Sequence, residues 1–284
     1  MSRVFLLTGA SGHVGRAVWP VLARCGHLTA IGRRPLAAST ETAIVHDLSQ
    51  PLPPWPDLAG ATVVHCAAEI RASDWITHWK GNIEATRHVL DWAVRHGSRR
   101  VVVFSTGSVY GFQPDRRMVE TDPLAPDGPY AHSKRIVEAI ADAYAQQFGL
   151  AVVTFRLYFP YGGEPAWGLF GRIEHSVANG EALTINRGGA PRLTPVHVDD
   201  VSAAVLMSVS DTFHPGVYNL CGDEDISVLE AVERTQARLG RTTRLAPSDL
   251  EPGDMMGSNE RLRGAGWTPR HSIRQDLGPL PNPR

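Results

Sequence analysis

A tyrosine and a lysine four positions apart, in Tyr130-Ala131-His132-Ser133-Lys134, share one face of any helix that contains them, which sets an ammonium beside a phenol. Such a pair can move a proton. A phenol with its ordinary pKa of about 10 is a poor base at neutral pH, but a neighbouring positive charge stabilises the phenolate and draws that value toward the working range. Earlier in the chain, a hydrophobic run from Arg3 to Leu7 enters Thr8-Gly9-Ala10-Ser11-Gly12-His13-Val14-Gly15. Glycines at a strand-to-helix junction let the backbone turn tightly against a pyrophosphate, and the last of them lets the helix pack on the strand. A third motif, Ser105-Thr106-Gly107-Ser108, follows the apolar run Val101 to Phe104 and sets three aliphatic hydroxyls at a strand end. One of them should hydrogen-bond a reacting oxygen, with Thr106 ranked ahead of Ser108.

Together the motifs describe hydride chemistry. Gly9, Ser11, Gly12, His13, Val14 and Gly15 would cradle a nicotinamide dinucleotide, Tyr130 would give or take a hydroxyl proton, and Lys134 would both tune it and reach the nicotinamide ribose. The end of the second strand discriminates between the two dinucleotides. An acidic residue about 20 positions beyond the glycines binds the ribose 2′-hydroxyl of NAD, whereas here the stretch reads Ala30-Ile31-Gly32-Arg33-Arg34-Pro35. Arg33 and Arg34 present planar donor forks suited to a phosphate, which favours NADP, with NAD as the alternative.

These groups need strands that end at one edge. Apolar runs at Val4 to Thr8, Leu28 to Ile31, Ala43 to Val45, Thr62 to Cys66, Arg100 to Ser105 and Ala151 to Phe155 alternate with amphipathic stretches at Gly15 to Cys25, Asn82 to His96 and Tyr130 to Phe148. That alternation predicts an α/β fold with a doubly wound parallel sheet of Rossmann type, whose ligands sit at the carboxyl ends of the strands. After Arg156 prolines and glycines crowd together, which predicts a smaller C-terminal substrate-binding lobe. The expected division is a dinucleotide-binding domain over 1–158, its sheet completed by about 194–221, and a substrate lobe over 159–193 and 222–284. Val196 to Met207 and Val217 to Leu220 are expected to rejoin the sheet, with Asp199 and Asp200 opening a helix, and Pro279 to Arg284 is expected to be loose.

With 284 residues, 43% of them hydrophobic, the chain can bury a sizeable core. A formal net charge of −1 gives no electrostatic reason for a nucleic-acid partner. The three cysteines, Cys25, Cys66 and Cys221, lack metal or disulfide spacing and fit a reducing cytoplasm, and the first apolar run enters the glycine turn as a strand rather than a signal peptide. No apolar run is long enough to span a membrane. Of the 12 histidines none has metal-ligand spacing, so no metal is expected, and His65, His132 and His197 are read as lining or buttressing the site. Trp75 and Trp167 fall in segments expected to face the substrate.

As a set, these residues resemble the extended short-chain dehydrogenase/reductases, in their nucleotide-sugar epimerase/dehydratase-like branch, whose glycine motif has the GxxGxxG form seen here. The likeness runs on through His46-Asp47-Leu48, VVHCAA from Val63, GNIEAT around Asn82, FSTGSVYG from Phe104, YAHSK from Tyr130, RLYFPYGG from Arg156, PVHVDDV from Pro195, YNLCG from Tyr218 and GWTP from Gly266. The resemblance implies that Asp47 and Leu48 flank the adenine and that Ala67 and Ala68 line the cofactor diphosphate side. Asn82 would make a structural or water-mediated contact among the cofactor-binding residues, and Thr106, Tyr130 and Lys134 would form the catalytic trio. Where family dehydratases follow the threonine with Asp-Glu, this chain has Gly107-Ser108, which disfavours dehydration. Epimerase-reductases of the family place a cysteine where Ser108 falls, so that activity is disfavoured too. Phe159 stands where many nucleotide-sugar enzymes carry a diphosphate-binding asparagine.

The reading is an NADP-dependent oxidoreductase acting on a secondary alcohol or ketone of a sugar-like, possibly nucleotide-linked, or other cyclic small molecule. The alternatives are an NAD-dependent nucleotide-sugar 4-epimerase and a non-catalytic NADP sensor. Ser108, Phe159, Trp167 and Arg192 are the candidate substrate residues, Arg192 serving either as an anion clamp or in an ion pair between lobes. Apolar stripes on more than one face of Asn82 to His96 and Tyr130 to Phe148 predict a homodimer.

Overall fold

The computed structural model describes residues 3–33, 42–113 and 115–280. Seven parallel strands form the main sheet: β1 (Arg3–Thr8), β2 (Gly26–Gly32), β3 (Thr42–Val45), β4 (Thr62–His65), β5 (Arg100–Thr106), β6 (Ala151–Leu157) and β7 (Gly216–Leu220). Their spatial order is β7-β6-β5-β4-β1-β2-β3, so the direction of winding reverses between β1 and β4. Crevices at such a reversal are where doubly wound sheets bind ligands. Leu7 lies opposite both Ala30 and Val64, and Val102 opposite both Val64 and Val153, which brings the strand ends level at one edge.

The strands are apolar on both faces because both faces are covered. Leu7, Val64, Val102 and Phe104 pack against α1 (His13–Ala23) and α5 (Val198–Ser208). The alternate residues Leu6, Val63, Val101 and Val103 pack against α2 (Ala85–Arg95) and α3 (Gly128–Phe148). Two features differ from the sequence pattern at their edges. The helix expected from Asn82 starts earlier, with a turn at Trp75–His78 capped by Asp74 and a π-helical stretch at Trp79–Glu84 before α2. Of the segment expected to rejoin the sheet, only β7 does so. Val196–His197 pairs with Pro160–Tyr161 outside it, since Val198 already begins α5 and leaves two residues extended.

Beyond β6, α4 (Gly168–Asn179) and α6 (Val228–Leu239) pack around a separate core of Phe170, Ile173, Val177, Ala231 and Val232. The pair Arg117–Met118 with Met256–Gly257 draws the C-terminal part of the chain to the end of β5. Among the described residues no helix is long and apolar enough to cross a membrane.

The glycine turn is set by steric contact. Gly9 has φ +69°, and a Cβ there would stand 2.5 Å from the backbone nitrogen of Ala67; a Cβ on Gly15 would stand 2.2 Å from the carbonyl oxygen of Gly9. Gly15→Ala should therefore push α1 away from β1 and destabilise the fold by about 1–3 kcal/mol. Gly264→Ala, where an added methyl meets nothing within 4 Å, should leave the midpoint unchanged, and urea unfolding of the two variants checks the contrast.

Candidate active site

A cavity of about 360 Å³ opens at the carboxyl ends of β1, β4, β5 and β6. Its floor carries Gly12, His13, Val14 and Gly15 from the glycine turn, and one wall carries Ser105, Thr106, Ser108, Tyr130 and Lys134. Cys66, Ala68, Ile70, Phe104, Leu157, Phe159, Pro160, Trp167, Gly168, Leu169 and Met255 complete it.

Thr106 ends β5 and turns the chain. Its Oγ1 accepts the backbone N–H of Ser108 at 3.2 Å and donates to the Ser108 hydroxyl at 3.2 Å. Facing it on α3 are Tyr130 and Lys134, one turn apart. Burial pushes the Tyr130 phenol up to about 12, opposed by its hydrogen bond with Thr106. In the protein alone desolvation sets the direction, and the lowering expected from Lys134 is not seen. Lys134 is 3% exposed, and the same burial lowers its ammonium to about 8, opposed by the charge of Glu138 and by Cys66.

Several partners hold this pair in place. Glu138, one turn beyond Lys134, takes two hydrogen bonds from Arg156 at 3.0 and 2.8 Å, and Arg156 also donates to the Tyr110 hydroxyl at 2.6 Å. Asn82 accepts the N–H of Glu69 at 2.7 Å and donates to the Glu69 carbonyl at 2.9 Å and to the Ser133 hydroxyl at 2.9 Å. Its amide is thus spent on tying the loop after β4 to α3, beside Lys134; the residue positions the site and offers a cofactor no free donor. His65, buried and neutral with its pKa pulled down to about 3 by burial, bridges Thr8 at 2.7 Å and Thr86 at 3.1 Å, and Thr8 in turn accepts the N–H of Ala67 at 3.3 Å.

The α1 N-terminus has no side-chain cap, because Gly12 is its N-cap, so its free N–H groups and positive dipole end face the cavity floor. The His13 Nε2 is buried there without a partner among the described residues, and burial, with help from Arg16 and His197, holds this imidazole neutral at a pKa of about 4. Trp167 stacks on His13 with ring centroids 5.4 Å apart.

The remaining expected residues divide. Gly9, Ser11 and Ala67 back the cavity from the turn and the β4 loop without lining it. Arg33 is exposed at the end of β2, and its charge helps hold the Asp47 carboxyl low, after the larger effect of the Ser49 N–H at 3.0 Å. Leu48 is 7% exposed within the sheet core, so the adenine contact expected of it falls to its backbone or to its neighbours. Arg34 lies outside the described residues.

Two expected substrate contacts are corrected. Arg192 pairs with Asp115 at 2.8 Å and Asp225 at 3.9 Å away from the cavity, which leaves the ion-pair reading. Trp75 is 48% exposed and lies 5.8 Å from His132, outside the lining. His197 stacks on His271 at 3.7 Å rather than lining the cavity. With Asp199 these two form a group whose ligand atoms lie within 4.8 Å, but their rings are 13° from parallel, so their in-plane lone pairs run side by side instead of converging.

Sequence reasoning missed Met255, which reaches the Ser108 hydroxyl at 3.6 Å from a segment with no motif of its own. Ser105, one of the three hydroxyls expected at the strand end but not ranked with Thr106 and Ser108, has a buried hydroxyl with no partner among the described residues.

The chain belongs to the NAD dependent epimerase/dehydratase family, whose profile matches residues 5–221. Among solved structures it is similar to MoeE5 in complex with UDP-glucose and NAD, at 27% identity and a TM-score of 0.84 over 96% of this chain and 95% of that one. A dTDP-4-dehydro-6-deoxy-D-allose reductase of Streptomyces bikiniensis is 28% identical over 92% of this chain and 87% of its own length. Protein CapI of Staphylococcus aureus is 24% identical over 63% of this chain and 60% of its own length. The match thus spans less than two thirds of that relative's length.

The buried ammonium makes stability depend on pH. Below about pH 8 Lys134 is charged in folded and unfolded chains alike and its desolvation cost is present in full; from about 8 to 10.5 the folded chain loses the proton first, so this group's contribution rises with pH. Lys134→Met removes that rise. Urea unfolding at about pH 7 and about pH 9.5 should show wild type gaining about 1–2 kcal/mol on the variant, and a pH-independent difference would contradict the burial.

Proposed function

We propose that this protein is an NAD(P)-dependent oxidoreductase that interconverts a secondary alcohol and a ketone on a sugar-like or other cyclic small molecule. The observation that carries the reading is the convergence, in one cavity, of Thr106, Tyr130 and Lys134 with the uncapped N-terminus of α1. A nicotinamide dinucleotide fits these residues: the glycine turn admits no Cβ at Gly9 or Gly15, the helix N-terminus suits a diphosphate, and the buried His13 Nε2 still lacks a partner. When bound, that cofactor supplies the hydride donor or acceptor.

The chain's own residues handle the proton. Thr106 and the phenol of Tyr130 hold the substrate oxygen, and Tyr130 passes the proton to it in reduction or takes it in oxidation. Because burial alone raises the phenol, the positive charges of Lys134 and of an oxidised nicotinamide supply the stabilisation that a phenolate needs. Ile70, Phe104, Leu157, Phe159 and Leu169 keep the reacting end apolar, and a low-dielectric wall strengthens each of these interactions. No carboxylic acid lines the cavity among the described residues, which speaks against expelling a hydroxyl as water. The similarity to a reductase over most of both chains supports reduction.

Arg33 supports NADP, since its exposed guanidinium stands at the end of β2 beside Asp47. The NAD-bound neighbour MoeE5 supports a second reading, a 4-epimerase that retains NAD, and nicotinamide co-purifying with the protein would select it. We also infer a homodimer through α3 and the helical segments that lead into α2, where Trp75, Ile76, Trp79 and Phe148 are exposed. Light scattering at micromolar concentration should return twice the monomer mass. The free cysteines, Cys25 exposed and Cys221 buried, accord with a reducing cytoplasm.

The deciding experiment follows NADPH and NADH oxidation against a panel of cyclic and sugar ketones. Tyr130→Phe should lower kcat about a hundredfold to ten-thousandfold with cofactor affinity kept, and Arg33→Ala should weaken NADPH more than NADH. Unchanged turnover in Tyr130→Phe overturns the assignment.

A further inference from the structure

The cavity's charges are unevenly distributed. At its deep end Lys134 is buried and faces the charge of Glu138, while Arg156 is matched by Glu138 and Arg192 by Asp115 and Asp225. The walls between are apolar. At the rim, Arg71 follows the lining residue Ile70 on the loop after β4, and its guanidinium carbon sits 5.7 Å from the ring centroid of Trp167, itself a lining residue.

Among the described residues Arg71 has no carboxylate within ion-pair distance. The nearest acid in sequence, Glu69, is turned toward the backbone and accepts the Arg71 N–H at 2.9 Å. Arg71 is exposed, yet it is not simply a solvated surface charge: Trp167 holds one face of its environment, and Trp167 is in turn fixed by stacking on His13 at 5.4 Å and 18°. An arginine ordered by an aromatic face keeps its planar fork of donors available for an oxyanion, and less side-chain entropy is lost when it binds one.

Resting on the oxidoreductase reading of this cavity, we propose that Arg71, stacked on Trp167, is the residue that recognises an anionic group of the substrate. The substrate class is then a carbonyl-bearing ring that carries a phosphate or carboxylate at the end remote from the reacting carbon. The apolar walls receive the ring, Tyr130 and Thr106 meet its oxygen, and Arg71 anchors the far end. Phosphate and carboxylate share the chemistry that the guanidinium reads, and the choice of probe separates them. The diphosphate of a cofactor held at the glycine turn would be a third anion, met from the His13 side of the same stack.

Calorimetric titration of the NADP-saturated protein tests this with two matched pairs of probes: UDP against uridine for a phosphate, and D-glucuronate against D-glucose for a carboxylate. At least one anion should bind more tightly than its neutral partner. Arg71→Ala should abolish that preference by weakening the anion at least about tenfold. The neutral probes, the affinity for NADP and the melting temperature should stay unchanged, while Arg71→Lys, with charge but no planar fork, should restore only part of the loss. Neither anion binding better than its neutral partner, or a loss in Arg71→Ala confined to NADP, overturns the proposal. Failure of the oxidoreductase reading shows separately, as a chain that binds no nicotinamide nucleotide or turns over unchanged with Tyr130→Phe.

Discussion

Keeping a lysine ammonium almost out of water is the constraint around which the rest of this molecule is arranged. An isolated buried charge costs several kcal/mol, and such groups persist only where neighbours offset the loss. Here the offset comes in a chain: Glu138 faces Lys134 one helical turn on, and Arg156 from β6 holds Glu138 with a two-pronged contact. Asn82 and Ser133 then lock the helix that carries the lysine to the loop after β4. The placing of Tyr130 and Lys134 is therefore a product of β6, the loop after β4, the turn that carries Asn82 and α3, although the pair is written in five consecutive residues.

The two faces of the sheet divide the labour. The face covered by α1 and α5 supports the glycine turn, and the face covered by α2 and α3 supports Tyr130 and Lys134. The cavity sits where both meet, at the reversal of strand order between β1 and β4. Steric closeness governs the first face, where Gly15 touches Gly9, and electrostatics governs the second.

Features legible in the sequence were those whose physics is local. The glycine spacing, the four-residue interval of Tyr130 and Lys134, and the hydroxyls after β5 each depend on neighbours within a turn or two, and the structure gathers them into one cavity. What could not be read depends on distant partners. Arg192 was ambiguous because Asp115, which claims it, is 77 positions away. Met255 carries no motif, and it is delivered to the wall by its own bridge to Leu193 and by the pairing of its neighbours Met256–Gly257 with Arg117–Met118. The upward shift of Tyr130 in the protein alone could not be read, because desolvation is a property of the finished interior, whereas the charge four residues away was visible at once. Trp75 was assigned to the cavity by its segment, but a helical turn points it toward His132 and solvent.

The long reach of that C-terminal segment also separates the site in time. A ribosome releasing this chain would have exposed every residue of the nucleotide cradle and of the proton-transfer pair by the end of β6, yet the wall supplied by Met255 would still be unmade. The face that carries the glycine turn also waits for α5, so the cradle is packed, and the enclosure closed, only by chain made well after the residues that carry the chemistry.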